Sequence, residues 1–348
     1  MSKDPMRSTQ QKRWIRSTLI LACWVCFVVP GCARKPDAGA RVRLAVGGQN
    51  QMVYLPTTLA QELGFYKEEG LDVELQDFQG GAKALQALVG GSADVVCGFY
   101  DHTIQMAAEG RELVAFVNML RFPGLVLTTS PQASGQVTKI ADLKGKIAGV
   151  TTAGSSSQMF LTFLLTRNSV PVESVSVTSI GSAATAIAAV ERGKVDAGWL
   201  ADPAFTLVHR RNPGVRVLAD LRDEAGVKAA FGTTTYPASV LYSSGEWIRT
   251  HRDVVGRLAR AITRTLQWMR SHSAQEIAGK TPKSIRGEDD DLYVEALKDS
   301  MPMFSTDGVM PAEGPAAVRT LLAESMDKVR GATIDLSKTY TNEFVSGR

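Results

Sequence analysis

The sequence predicts an α/β protein built from two similar lobes. Short apolar strands alternate with helices through residues 41–119, and the alternation restarts after Pro123-Gly124 and continues to Leu200. The two series share an echo. Gly81…Gly91-Ser92-Ala93-Asp94 precedes the run VVCGFYD, and Gly181…Gly193-Lys194-Val195-Asp196 precedes AGWLAD, with the same spacing from glycine to aspartate. Strands of this kind lie parallel beneath helices, and ligands in such sheets sit beyond the strand carboxyl ends.

Each element has its own reason. Residues 41–46 (RVRLAV) alternate as a strand, and the polar stretch from Gly47 to Gln51 is a loop. Thr57 and Thr58 are candidate caps for a helix that runs to Leu63 and stops at Gly64. Residues 71–75 form a strand, Gly80-Gly81 opens a helix through Val89, and residues 93–97 form a strand. A helix over 101–109 and a strand over 113–119 close the first series. In the second, strands occupy 125–129, 146–150, 175–179 and 197–200, with helices over 158–167 and 182–192. Beyond Tyr236 come one more strand over 237–242 and helices over 246–271, 289–300 and 313–330. The bases Arg249, Arg252, Arg257, Arg260, Arg264 and Arg270 on the long helix are expected to form a solvated face.

The amino-terminal segment has a separate task. Lys3, Arg7, Lys12, Arg13 and Arg16 precede an apolar run over 19–29, and Pro30-Gly31-Cys32 follows. This is the arrangement of an export signal, and the run falls short of the ~20 apolar residues of a settled membrane span. A cysteine directly after a small residue resembles the lipobox of bacterial lipoproteins. Residues 1–31 are therefore expected to be removed, leaving a lipidated Cys32 on a tether over 32–41 that holds the exported chain to a membrane, facing the periplasm or the cell exterior.

Charge excludes one class of partner. The chain has 39 Lys+Arg against 35 Asp+Glu, but residues 1–31 hold five of the bases and one acid, leaving 34 of each sign. The basic excess belongs to the signal, so nucleic-acid binding has no electrostatic basis. Cys97 is alone outside residues 1–32 and sits in an apolar run, as a buried strand residue would. His102, His209, His251 and His272 are widely separated and match no metal-ligand spacing.

Catalytic motifs are missing: there is no G-x-S-x-G elbow, no P-loop lysine motif and no G-x-G-x-x-G. Binding has better support. The loop from Thr151 to Ser157 includes Gly154, Ser155, Ser156 and Ser157 between a strand and a helix, where N–H groups, hydroxyls and the helix dipole favour an anion. Gln51 and Tyr54 follow the first strand, Tyr100 and Asp101 follow the Cys97 strand, and Trp199 and Asp202 end the matching strand of the second lobe. Tyr54, Tyr100 and Trp199 offer stacking surface, and Asp202 is a candidate partner for a ligand amine, although Asp101 and Asp202 can each instead cap the helix that follows.

The run Tyr54-Leu55-Pro56…Ala60-Gln61-Glu62-Leu63-Gly64-Phe65-Tyr66-Lys67-Glu68-Glu69-Gly70-Leu71-Asp72-Val73-Glu74 resembles the nitrate/sulfonate/taurine-type substrate-binding proteins of ABC importers, a group with relatives that bind thiamine-precursor pyrimidines. The IADLKGKIAG segment and the stretch from Gly193 to Pro203 follow the same order, and the resemblance covers residues 42–275. It implies a type II periplasmic-binding-protein fold: two α/β lobes joined by two crossovers, near 121–127 and 233–240, that close on a ligand. Lobe 1 would comprise 42–123 plus 238–348, and lobe 2 residues 124–237. Mapped by position, the family's contacts fall on Gln51, Tyr54, Gly80, Gly81, Tyr100, Asp101, the 154–157 loop and Asp202. Where relatives often carry Glu-Pro, this chain has the shorter Asp202-Pro203. The expected protein is a monomeric solute receptor without catalytic activity or cofactor, partnered by a small organic anion (sulfonate-like, or aromatic or pyrimidine) and an importer permease. Two alternatives stand beside it: an enzyme like the thiamine-pyrimidine synthases, whose cysteine-rich motif is absent here, and a ligand-sensing lobe for a signalling partner.

Overall fold

A computed structural model of the chain describes residues 39–345. The expected export signal, Cys32 and most of the expected tether lie outside the described residues. Ten strands form two sheets: β1 (Ala40–Val46), β2 (Leu71–Asp77), β3 (Val95–Phe99), β4 (Leu113–Asn118), β5 (Leu125–Thr129), β6 (Ile147–Val150), β7 (Ser176–Ser179), β8 (Ala197–Ala201), β9 (Val217–Asp220) and β10 (Ser239–Ser244). The first sheet has the order β2-β1-β3-β10-β4 and the second β7-β6-β8-β5-β9. Within each sheet four strands run in one direction, and the fifth, antiparallel to its neighbours, comes from the far end of a crossover: β10 between β3 and β4, and β5 between β8 and β9. The chain therefore passes between the sheets twice, through residues 119–124 and 221–238.

Burial follows strand position. The central strands β3, β5 and β8 are buried along their whole length, as their unbroken apolar runs require. The edge strand β7 is exposed throughout and reads SVTS. Cys97 lies on β3 with no exposure, and burial pushes its thiol up to about 12, the inert state of a packed cysteine.

The echo turns out to be a strand clamp. In the first half the Asp94 N–H donates to the Arg43 carbonyl at 2.9 Å, while the Asp94 carboxylate accepts the Arg43 N–H at 2.8 Å. In the second, the Asp196 N–H donates to the Ile147 carbonyl at 2.8 Å, and its carboxylate accepts the Ile147 N–H at 2.7 Å. Each aspartate thus locks the entry of its own strand onto the parallel neighbour, β3 onto β1 and β8 onto β6. The glycine three residues earlier turns the chain out of the helix in a left-handed conformation, φ 75° at Gly91 and 64° at Gly193.

Several expected boundaries shift. Thr57 and Thr58 do not cap a helix: the helix starts earlier, at Leu55–Glu62, with Pro56 in its first turn, and the Thr57 hydroxyl donates to the Tyr54 carbonyl. The long carboxyl-terminal helix is two, Gly245–Thr250 and Arg252–Ser271. Ser244 caps the first of these, and the Thr250 hydroxyl competes for its last carbonyls. The helix expected over 313–330 breaks at Met326, where Ser325 bonds back to the Leu321 and Leu322 carbonyls. The interval 204–232 had no assignment and contains two helices, Ala204–Arg211 and Glu224–Phe231, together with β9. The basic helix face meets acids from elsewhere in the chain: Arg249 pairs with Glu112, Arg252 with Glu343, Arg260 with Glu69 and Arg264 with Glu68. Among the described residues no helix is long and apolar enough to cross a membrane.

Candidate functional site

Where the carboxyl ends of the two sheets face each other they enclose a small cavity. Gln51, Val53, Tyr54, Gly81 and Phe99 line it from the side of the first sheet, and Leu125, Thr151, Ser155, Ser156 and Ser157 from the side of the second. Its volume, ≈ 20 Å³, holds about one water molecule. Two wider spaces flank it. One of ≈ 290 Å³ lies between Asn50, Ile187, Asp202 and Leu292, and an open one of ≈ 510 Å³ between Lys83, Gln86, Thr152 and Thr185.

Helix Ser156–Arg167 aims its amino terminus at this cavity. Ser155 at its N-cap position accepts no helix N–H with its side chain, and the Ser156 and Ser157 N–H groups have no acceptor among the described residues. Those two groups are the free donors. The hydroxyls around them are committed: Ser155 donates to the Thr152 carbonyl at 2.7 Å, Thr151 to Ser155 at 2.9 Å, and Ser156 to the Asp101 carboxylate at 2.9 Å. Ser157 takes the Thr151 N–H at 3.0 Å and lies 2.9 Å from the Ser155 hydroxyl. Gly154 sits outside the cavity, its N–H given to the Gln158 side chain at 2.7 Å. The loop therefore meets a ligand first with its backbone N–H donors, and the buried Thr152 hydroxyl has no partner among the described residues.

Behind Ser156 the Asp101 carboxyl has no exposure, and loss of water pushes it up to about 7 despite hydrogen bonds from Ser156 and, at 3.4 Å, Tyr236. His102 Nε2 lies 4.0 Å away and has no hydrogen-bond partner among the described residues. Burial pushes that ring down to about 4, which keeps it neutral, and its Nδ1 faces the Tyr242 hydroxyl at 3.3 Å. Gly80 is one of the places where the halves touch. It holds φ 133°, and a Cβ there would stand 2.8 Å from the Thr152 side chain.

The sequence pattern of the family described as "NMT1/THI5 like" matches residues 51–276. The chain belongs to this family. A protein of solved structure from Bordetella bronchiseptica RB50 is 36% identical over 88% of this chain and 96% of its own, with a TM-score of 0.84. The alkanesulfonate-binding protein SsuA from Xanthomonas axonopodis pv. citri, solved bound to MOPS, is 18% identical over 87% of this chain and 98% of its own, at TM-score 0.69. The nitrate-binding protein NrtA from Synechocystis PCC 6803 is 13% identical over 88% of this chain and 87% of its own, at TM-score 0.67. The fold is that of the periplasmic binding proteins, two α/β lobes joined by two crossovers, as the family resemblance implied.

Of the residues singled out from the sequence of this family member, Gln51, Tyr54, Gly81, Ser155, Ser156 and Ser157 come together around the cavity, with Gly80 at its rim and Asp101 behind it. Besides Gly154, three others do not face it. Tyr100 turns away, its hydroxyl bonded to Thr339 and its ring edge-on to Tyr340. Trp199 is packed in the core, edge-on to Phe160, and offers no stacking surface. Asp202 is saturated from within the chain. It accepts from Thr206 N–H and hydroxyl at 3.1 and 2.7 Å, Ser300 at 2.9 Å and Arg222 at 3.0 Å, so no oxygen is left for a ligand amine. Leu125, Tyr236, Arg222 and Ser300 were not found in the sequence as site residues. Leu125 opens β5, Arg222 and Tyr236 lie on the second crossover and Ser300 ends a carboxyl-terminal helix, where no motif marks them.

Proposed function

We propose that the chain is the extracytoplasmic solute-binding component of an ABC importer, which captures a small organic anion between its lobes and presents the closed form to a permease. Family membership and the fold shared with SsuA and NrtA support the class. The single observation that carries the site is the pair of unpaired Ser156 and Ser157 N–H groups at a helix amino terminus, facing a cavity at the carboxyl ends of both sheets. Val53, Phe99 and Leu125 would hold the apolar body of a sulfonate, aromatic carboxylate or pyrimidine, and the Tyr54 hydroxyl and Gln51 would orient it. Lobe 1 would be 42–123 plus 238–348 and lobe 2 residues 124–237, swinging on the crossovers. Lipidation at Cys32 would tether the monomer beside its permease, with no cofactor and no turnover.

A thermal-shift screen against nitrate, taurine, alkyl and aryl sulfonates, aromatic carboxylates and aminopyrimidines tests the reading. An organic anion is expected to raise Tm, and the rise should vanish in Tyr54→Ala. Stabilisation by nitrate alone, or consumption of any bound compound, would overturn it.

A further inference from the structure

Asp101 and Asp202 each follow a central strand of their own sheet, β3 and β8, and both are buried. Only one is compensated. Asp202 has the Arg222 guanidinium at 3.0 Å, whereas among the described residues no lysine or arginine pairs with Asp101. The groups facing Asp101 are His102, held neutral by burial, the Tyr236 hydroxyl, the phenols of Tyr54 and Tyr242, which burial keeps protonated, and the Ser156 hydroxyl from the opposite lobe.

The cavity between the lobes has room for about one water, so a solute would enter it only if the lobes parted, which would separate Ser156 from Asp101 and open the carboxyl to water. On closing around an anion held by the Ser156 and Ser157 N–H groups, an ionised Asp101 would leave two negative charges in one dry site with no cation between them.

We propose that Asp101 is a positioning residue that takes up a proton when the lobes close, so that the anion and a proton are captured together. The proton comes from solvent and forms an O–H bond on the carboxylate. That O–H then donates to the Ser156 oxygen, and the Ser156 hydroxyl proton is freed to donate to the anion. This rests on the solute-binding reading above and adds its coupling to pH. The sign follows from the carboxyl, whose affinity for a proton is higher in the closed form, burial holding it at about 7, than in an open, wetted one near the ordinary value of 3.8. Closure is then favoured as pH falls through 7, by at most about tenfold per pH unit.

Small-angle X-ray scattering of the protein without added solute, from about pH 8 to about pH 5, reads this directly. In wild type the radius of gyration is expected to fall as pH falls. Asp101→Asn, a neutral mimic of the protonated acid, should hold the low-pH radius throughout. Ser156→Ala, which removes a hydrogen bond to the ionised form, should keep the slope and move it to higher pH. A flat wild-type profile, or an Asp101→Asn protein with the same slope as wild type, overturns the proposal, and a Ser156→Ala profile that does not move does so independently. None of these outcomes touches the importer reading, which fails instead if no organic anion stabilises the protein in the thermal-shift screen.

Discussion

Replacing Arg222 with methionine keeps much of its aliphatic bulk and removes the cation beneath the cleft. Its guanidinium meets Asp202 at 3.0 Å, Asp220 at 2.7 Å and Asp299 at 3.5 Å, and lies over the Phe205 ring at 5.0 Å. Asp220 and Asp299 can turn to water, so their loss costs little. Asp202 cannot. It is 1% exposed and would keep only its bonds from Thr206 and Ser300 around an unpaired charge. Breaking one partner out of a buried pair costs about 3–5 kcal/mol, and the three remaining hydrogen bonds place this case near the lower end, at about 3 kcal/mol. For a chain of this size that is a fall in Tm of about 4–5 °C. Urea unfolding of wild type, Arg222→Met, Asp202→Asn and the double variant measures it. Because Asp202→Asn removes the stranded charge, the double variant should be more stable than Arg222→Met alone. A single-variant cost below about 1 kcal/mol, or additive effects in the cycle, would show that Arg222 does not compensate Asp202.

Gly80→Ala should weaken capture of any stabilising solute by tenfold or more and raise the radius of gyration, because its Cβ strikes Thr152 only when the lobes are together; isothermal titration and scattering would check this. Asp94→Ala and Asp196→Ala should each cost about 1–2 kcal/mol in urea unfolding, since each frees an N–H of a neighbouring strand. Burial pushes the Asp94 carboxyl up, but its bonds from Arg43 outweigh this and hold it below the ordinary carboxylate range. Its contribution should therefore be complete at neutral pH and disappear as pH falls below about 4, so wild type and Asp94→Ala should converge in stability there. Cys32→Ser should release the protein from membranes or leave it unprocessed, as fractionation and mass measurement would reveal; a cleaved variant that still sediments with membranes would refute the lipid anchor.

Sequence by itself determined the repeated βα rhythm, because central strands buried on both faces must be apolar throughout, as VVCGF, LVLTT and AGWLA are. It also carried the glycine–aspartate echo, whose parts lie three residues apart, but only the tertiary structure showed that each aspartate clamps a strand some fifty residues away in the chain. β9 was not legible: its four residues VLAD are only partly buried at a sheet edge, and neither length nor alternation distinguishes them from a loop. The cleft was legible as a set of strand ends but not as a set of directions. Tyr54, Tyr100 and Trp199 look equivalent in the chain, yet only Tyr54 faces the cavity, because Thr339 and Tyr340 draw Tyr100 away and Phe160 takes the edge of Trp199. The same holds for charge. Nothing in the two aspartate-ended strands distinguishes Asp101 from Asp202, and it is the tertiary structure that brings Arg222 to one and leaves the other with hydroxyls alone. A side chain's partners come from segments folded against it from far along the chain, so periodicity can place a residue at the site but cannot say whether its hydrogen bonds are already taken.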